Sequence, residues 1–283
     1  MVEQLTLNQR VEGSSPSWRI EDRDSRLKNF LKSALELAKK ASLKAGETAL
    51  RYFHGGTNVS IKSDGTPVTQ ADKESEEIIV ETLRKEMPDC GFLGEEFGEQ
   101  GPKEKRWIID PIDGTKNFIR GIPVWAVMIG LEEEGEITAG VVYNPATKQL
   151  WTAAKGSGAY CNDKRISVSA VDSLAEAQLL HGGLNALRKS SYWDSFVRLV
   201  ESTKRQRGPG DYLGYMLVAQ GQGEIYLEKD LKPWDIAANQ IIVKEADGEF
   251  TDMDGTSTIY AGSALATNGR LHKSVLEILR GHS

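Results

Sequence analysis

The chain has only two cysteines, Cys90 and Cys161, among its 283 residues. Two cannot build a disulfide framework or a cysteine metal site, and their scarcity fits a reducing compartment. The four histidines, His54, His181, His272 and His282, are dispersed, which argues against imidazole-centred chemistry. No apolar run reaches the roughly 18 residues that a membrane span requires, and no apolar signal segment opens the chain. An excess of one charge is also lacking, since 35 Lys and Arg stand against 41 Asp and Glu, a formal net of -6. The one basic run, KRQR at 204–207, is short and reads as a solvated loop, so there is no nucleic-acid footprint. Walker glycine-lysine loop, dinucleotide glycine fingerprint and Gly-x-Ser-x-Gly elbow are absent too. These absences lead us to expect a cytoplasmic protein with no nucleic-acid or membrane partner.

What is present is organised. Residues 1–23 are polar and unpatterned and read as a mobile N-terminal extension. Beyond Ser25, Leu27, Phe30, Leu31, Ala34, Leu35, Ala38, Ala41 and Ala45 recur at helical spacing, predicting a helix that ends before Gly55-Gly56. A second helix starts near Thr69, turns Ile78, Ile79 and Leu83 inward and stops before Pro88. Between 107 and 168 the pattern is that of strands, at 124–131, 137–143, 150–153 and 166–168, parted by tight turns. Consecutive hairpins predict an antiparallel or mixed sheet with helices on one face. Later segments read as helices at 192–203, 212–219 and 236–245, with a strand at 224–227. A boundary near Ala170 divides an α+β segment, 24–169, from a C-terminal α/β segment, 170–283.

The densest chemistry lies in WIIDPIDGTKNF at 107–118. An apolar strand runs into Asp110, with Asp113, Gly114 and Thr115 close behind. Two carboxylates where a strand gives way to a Gly-containing turn suit divalent cations that also touch a phosphate. Backbone N–H groups at Gly114-Thr115 would hold phosphate oxygens. Elsewhere, Glu95 in GEEFG follows an apolar pair, and Asp235 in KPWD stands where a helix begins. The plain alternative for Asp235 is a helix N-cap. For Asp72 it is a capping box with Thr69, which leaves room for a second role orienting the Thr115 hydroxyl.

GEEFG, WIIDPIDGTKNF and KPWDIAAN, in that order and spacing, resemble the inositol-monophosphatase-like phosphatases over about residues 27–280. The resemblance implies a layered αβαβα sandwich of the inositol monophosphatase/fructose-1,6-bisphosphatase type, built from two pseudo-domains. It implies two or three Mg2+ ions per site, hydrolysis of a small phosphate monoester by a metal-activated water, lithium sensitivity, and a homodimer. Carried over residue by residue, Glu95, Asp110 and the Ile112 carbonyl resemble ligands of a first magnesium, and Asp110, Asp113 and Asp235 those of a second. Thr115 with Asp72 resembles the water-activating couple, and Gly114, Thr115 and Asp235 resemble substrate contacts.

For the alcohol, VTQAD at 68–72, LGEEFG at 93–98, NFIRGIPVW at 117–125 and GDYLGYMLVAQG at 210–221 resemble the histidinol-phosphate phosphatase branch. Phe97 stands where the inositol-type enzymes place a small polar residue, and Asp247 where the family commonly has glycine. Histidinol carries an ammonium and an imidazole, which gives Asp211 a charge-based use in substrate binding. The alternatives for Asp211 are a cap ahead of Tyr212 or an ion pair with Arg207. The alternatives for the whole protein are an inositol-1-phosphate phosphatase of broad specificity and a catalytically inactive scaffold.

Overall fold

The computed structural model describes residues 17–55, 59–61 and 67–281, and side chains from residue 25 onward within the first helix. The chain opens with α1 (Ser17–Gly55), a short hairpin of β1 (Val59–Ile61) and β2 (Pro67–Thr69), and α2 (Gln70–Glu86). β3 (Gly91–Gly94), β4 (Gly98–Gln100), β5 (Lys105–Asp113) and the short α3 (Thr115–Ile119) follow. Next come β6 (Ala126–Glu133), β7 (Glu136–Asn144), β8 (Gln149–Ala154), β9 (Ala159–Cys161) and β10 (Lys164–Ile166). Then the pattern changes to β11 (Gln178–His181), α4 (Leu184–Arg188), α5 (Trp193–Ser202), β12 (Arg205–Arg207), α6 (Asp211–Ala219) and β13 (Ile225–Lys229). The chain closes with α7 (Pro233–Glu245), β14 (Glu249–Thr251), β15 (Ser263–Thr267) and α8 (His272–Leu279).

Eight strands form one mixed sheet in the order β10-β9-β8-β7-β6-β5-β3-β4, and five form another, β12-β11-β13-β15-β14. In the large sheet only β3 and β5 run parallel; its other neighbours are antiparallel. Period-two alternation sends the apolar side chains of one strand into two different cores. From β5 and β6, Trp107, Ile109, Val127, Ile129 and Leu131 pack against the alanine stripe of α1 and against Ile79 and Leu83 of α2. Ile108, Ala126 and Met128 point the other way, onto Tyr212, Met216, Ile236 and Ile242 of α6 and α7. The small sheet repeats the device. Tyr226 and Ala266 face α6 and α7, whereas Leu179, Ile225 and Leu265 face α5 and α8. The layers are therefore α1/α2, large sheet, α6/α7, small sheet and α5/α8, an αβαβα sandwich.

Helices thus cover both faces of the large sheet, where the hairpin pattern alone predicted one. Nearly every residue of β5 to β7 is buried, and their central runs are apolar on both faces, which a sheet covered on both sides requires. α7 seats closely on this sheet because Gly130 and Gly140 pair across β6 and β7. A Cβ at Gly140 would fall 2.5 Å from Ile241 Cγ2, and one at Gly130 would fall 2.9 Å from Ala237 Cβ. Full burial of Ile236 and Ile242 of α7 in the core between the two sheets contributes about 1.5–3 kcal/mol per side chain.

The backbone of α1 is already helical from Ser17, so residues 17–23 of the segment read as an extension belong to a helix; residues 1–16 lie outside the described residues. Among the described residues no helix is long and apolar enough to cross a membrane.

Candidate active site

The site forms where β5 runs out. In a regular strand residues three apart point to opposite faces, so Asp110 and Asp113 would be separated. Pro111 has no N–H for the ladder, and the pairing of β5 with β6 shifts register between Asp110 and Asp113. Asp110 Oδ1 accepts the Ile112 amide at 3.0 Å, an Asx turn that fixes the irregularity. The two carboxylates then fall on one side. α7 brings Asp235 to them, and ligand oxygens of all three lie within 4.8 Å of one another.

Asp235 is not the N-cap of α7. That position is Lys232, with Pro233 first in the helix, and Asp235 at the third position reaches back so that its Oδ2 accepts the Lys232 amide at 2.7 Å. Pre-set by the Pro233 ring, this turn orients the carboxylate while leaving its other oxygen for the site.

Asp72 occupies the third position of α2 in a complete capping box with Thr69. Its Oδ2 accepts the Thr69 amide at 2.8 Å and hydroxyl at 2.6 Å, leaving Oδ1 at 3.3 Å from Thr115 Oγ1. The Thr115 hydroxyl also lies 3.0 Å from the Ile112 carbonyl. With one proton it donates to one of these acceptors at a time. Gly114 precedes it at φ +84°, a left-handed conformation, and a Cβ there would meet Val124 O at 2.8 Å. Only glycine turns the chain here.

Glu95 follows β3, which runs parallel to β5 with Gly94 opposite Ile109. Its amide donates to Ile109 O at 3.2 Å, setting it beside the Asp110 strand end. It is outside the three-carboxylate cluster, yet its charge is the strongest of those raising Asp110. Asp211 arrives from the second half of the chain. Gly210, not Asp211, is the N-cap of α6, and Asp211 follows at φ +49° with its Oδ2 accepting Asn117 Nδ2 at 2.7 Å. Reciprocally, Asp113 Oδ2 accepts the Tyr212 amide at 2.7 Å. Arg207 is exposed on the edge strand β12, and among the described residues it makes no ion pair with Asp211.

The electrostatics are those of crowded acids. Burial, then the charges of Glu95, Asp113, Asp235 and Asp72, hold Asp110 well above the usual carboxylate range. Burial followed by Asp211 and Asp235 does the same to Asp113. Asp235 is pushed up to about 7 and Asp211 to about 6, in both cases chiefly by burial, with Lys116 opposing the rise at Asp211. Among the described residues no Lys or Arg forms an ion pair with Asp110, Asp113 or Asp235. Buried like charges without a protein cation are costly unless another cation neutralises them. An all-oxygen donor set suits a hard divalent ion, so the residues fit a metal of the magnesium class.

Three residues that sequence reasoning passed over complete the surroundings. Glu228, on β13, accepts the Tyr226 hydroxyl and is pushed up to about 8, mainly by burial and then by Asp211 and Asp235. The strand read at 224–227 stopped one residue short of it. Asn117 lay inside the motif without a role, and Glu76 lies one helical turn beyond Asp72, a spacing that shares a helix face.

Comparison with known proteins agrees with this geometry. The inositol monophosphatase family profile matches residues 31–283. Histidinol-phosphatase of Mycobacterium tuberculosis is 42% identical over 235 residues, 81% of this chain and 90% of that protein. Inositol-1-monophosphatase of Rhizobium meliloti is 38% identical over 257 residues, 87% and 96% of the two. The crystal structure of extragenic suppressor protein suhB from Bartonella henselae superposes with a TM-score of 0.82 at 35% identity, covering 88% of this chain and 98% of that one. The Thermotoga maritima IMPase gives 0.80 at 33% identity, again over 88% and 98%. With its profile, its fold and its carboxylate cluster in agreement, the chain belongs to the inositol monophosphatase family.

Proposed function

We propose that this chain, a metal-assisted phosphomonoesterase of the inositol monophosphatase family, hydrolyses L-histidinol phosphate to L-histidinol and phosphate with magnesium. The observation that carries the substrate reading is Asp211, a half-buried carboxylate fixed by Asn117 at 2.7 Å and lying 3.4 Å from where a Cβ would stand at Gly114. It adds negative charge beside the phosphate turn, beyond what the metal cluster needs, with Glu228 nearby. The Asp211 carboxylate, still mostly ionised at neutral pH, complements an alcohol that carries an ammonium.

In this reading Glu95, Asp110 and the Ile112 carbonyl hold one magnesium, and Asp110, Asp113 and Asp235 hold a second. Bound there, the cations supply charge neutralisation to the phosphate and Lewis acidity toward water. The Gly114 and Thr115 amides bind phosphate oxygens at the turn that the left-handed Gly114 creates. Asp72, its outer oxygen fixed by Thr69, accepts the Thr115 proton, so the hydroxyl presents a lone pair to the attacking water and draws a proton from it. Water oxygen bonds to phosphorus as the ester P–O bond breaks; the leaving oxygen takes a proton from solvent water, and the proton passed to the Thr115–Asp72 pair returns to solvent, so that one water is consumed overall.

A second reading, a broad inositol-1-phosphate phosphatase, is favoured by the 38% identity to the Rhizobium meliloti enzyme. An inactive scaffold is disfavoured because Glu95, Asp110, Asp113 and Asp235 are all retained. Phosphate release from histidinol phosphate, inositol 1-phosphate, fructose 1,6-bisphosphate and 3′-phosphoadenosine 5′-phosphate, side by side with magnesium, separates these. We expect the highest kcat/KM for histidinol phosphate. A preference for inositol 1-phosphate would overturn the substrate, and silence on all four would favour the scaffold.

A further inference from the structure

We propose that Glu76 is a positioning residue for the metal centre, its carboxylate clamping the turn that presents Glu95. The inference rests on the reading of Glu95 as a metal ligand. Glu76 is 1% exposed, in the middle of α2. Its Oε2 accepts the Glu96 amide at 2.8 Å and its Oε1 the Phe97 amide at 3.1 Å. Consecutive amides converging on one anion form a nest, a rigid arrangement because both donors are backbone. On the other side the Glu95 amide is tied to Ile109 O at 3.2 Å. The backbone of Glu95 is therefore held on both sides, by β5 before it and by Glu76 after it.

Gly94 shows how closely the clamp is built. A Cβ there would fall 1.8 Å from Glu76 Oε1, so the strand end can pass the carboxylate only as glycine. The arrangement also explains a spacing. Asp72 and Glu76 stand four residues apart on α2 and share one helix face. The first reaches Thr115 and the second reaches the Glu95 turn. One helix thereby sets the register between the proton-accepting pair and a metal carboxylate. A buried acid near the charges of Glu95 and Glu96 is an expensive way merely to hold a loop, and the expense is understandable where ligand placement depends on it.

The test is titration of metal-free protein with Mn2+ alone, followed by electron paramagnetic resonance, for wild type, E76Q, E95Q, the double variant and G94A. Glu76→Gln keeps the shape but turns an NH2 toward an amide donor. We expect E76Q to weaken one Mn2+ site about tenfold or more, as for other groups that orient metal ligands. E95Q should lose the same site, and the double variant should bind no more weakly than E95Q. G94A alters no carboxylate and should reproduce the E76Q loss; it decides the matter if E76Q fails to fold. Wild-type binding by E76Q or by G94A, or penalties that add in full in the double variant, would overturn the clamp while a weakened E95Q keeps the ligand reading. Wild-type binding by E95Q would overturn both.

Discussion

Single side chains in this protein do two things at once. Asp72 completes a helix cap and faces Thr115, Asp235 braces the start of α7 and joins the carboxylate cluster, and Asp113 caps α6 through Tyr212. The roles separate experimentally at Thr115. T115A removes the hydroxyl while keeping the backbone amide, so kcat should fall about 100-fold, in the range of acid–base contributions, with inhibition by inorganic phosphate nearly unchanged. Steady-state kinetics checks this; a rise in KM at constant kcat would make Thr115 a binding residue. D110N should lose far more activity than E133Q, even at saturating magnesium, because Asp110 is the carboxylate shared by both proposed ions. Near-wild-type turnover by D110N would contradict the metal assignment.

Away from the site, His272 is 3% exposed between the Thr251 and Thr267 hydroxyls, at 3.1 and 3.0 Å. Burial lowers its pKa below the ordinary 6.5. The unfolded chain therefore takes up a proton near pH 6.5 that the folded protein refuses. The neutral-His contribution is full above that value and declines as pH falls below it. Between pH 7.5 and 5.5, H272Q should show a shallower fall in Tm than wild type; parallel curves would show that His272 takes up its proton as readily in the folded protein as in the unfolded chain.

Elements place these residues, and here the sequence was only partly legible. α2 begins and ends close to the positions that Thr69 and Pro88 signal, because capping and chain-breaking are local chemistry. β6, β7 and β8 were readable from apolar β-rich runs parted by turn residues, whereas β4 and β9 were not read and β10 lies at Lys164–Ile166, ahead of the run read at 166–168. The bulge at Pro111 could be read as a turn, but not as the device that brings Asp110 and Asp113 to one face, since that needs the partner strand. Glu228 and Asn117 gain meaning only from residues distant in the chain. The glycine pair under α7 belongs to this class too. G140A should overpack the interface with Ile241, costing about 1–3 kcal/mol, and shift the helix that carries Asp235. Denaturant unfolding would register the first effect and Mg2+ dependence of activity the second; a neutral G140A would show that α7 can ride out by a methyl without consequence.

At the scale of the whole molecule, the two sheets come from successive parts of the chain, changing between Ile166 and Gln178. We propose that the division near Ala170 marks this change of sheet and not a break in the core. Ile108, Met128, Val142 and Trp151 from the first part share one apolar cluster with Tyr212, Ile236, Ile242 and Phe250 from the second. A fragment of residues 24–169 would expose that face and should show no cooperative thermal transition; a sharp one would contradict the shared core. The site depends on the same union. Asp110, Asp113 and Thr115 come from the first part and Asp211, Glu228 and Asp235 from the second, joined by the hydrogen bonds Asn117–Asp211 and Tyr212–Asp113.

The most direct test of the account is the ratio of kcat/KM for histidinol phosphate to that for inositol 1-phosphate, in wild type and D211N, at constant magnesium and pH. A charged hydrogen bond is worth roughly 1.5–3 kcal/mol, or about one to two decades in this ratio. We expect a wild-type ratio well above one that falls by that amount in D211N, because the amide keeps the shape and loses the charge. A ratio below one in wild type, or one that D211N leaves unchanged, would contradict the claim that this acidic site selects a cationic alcohol.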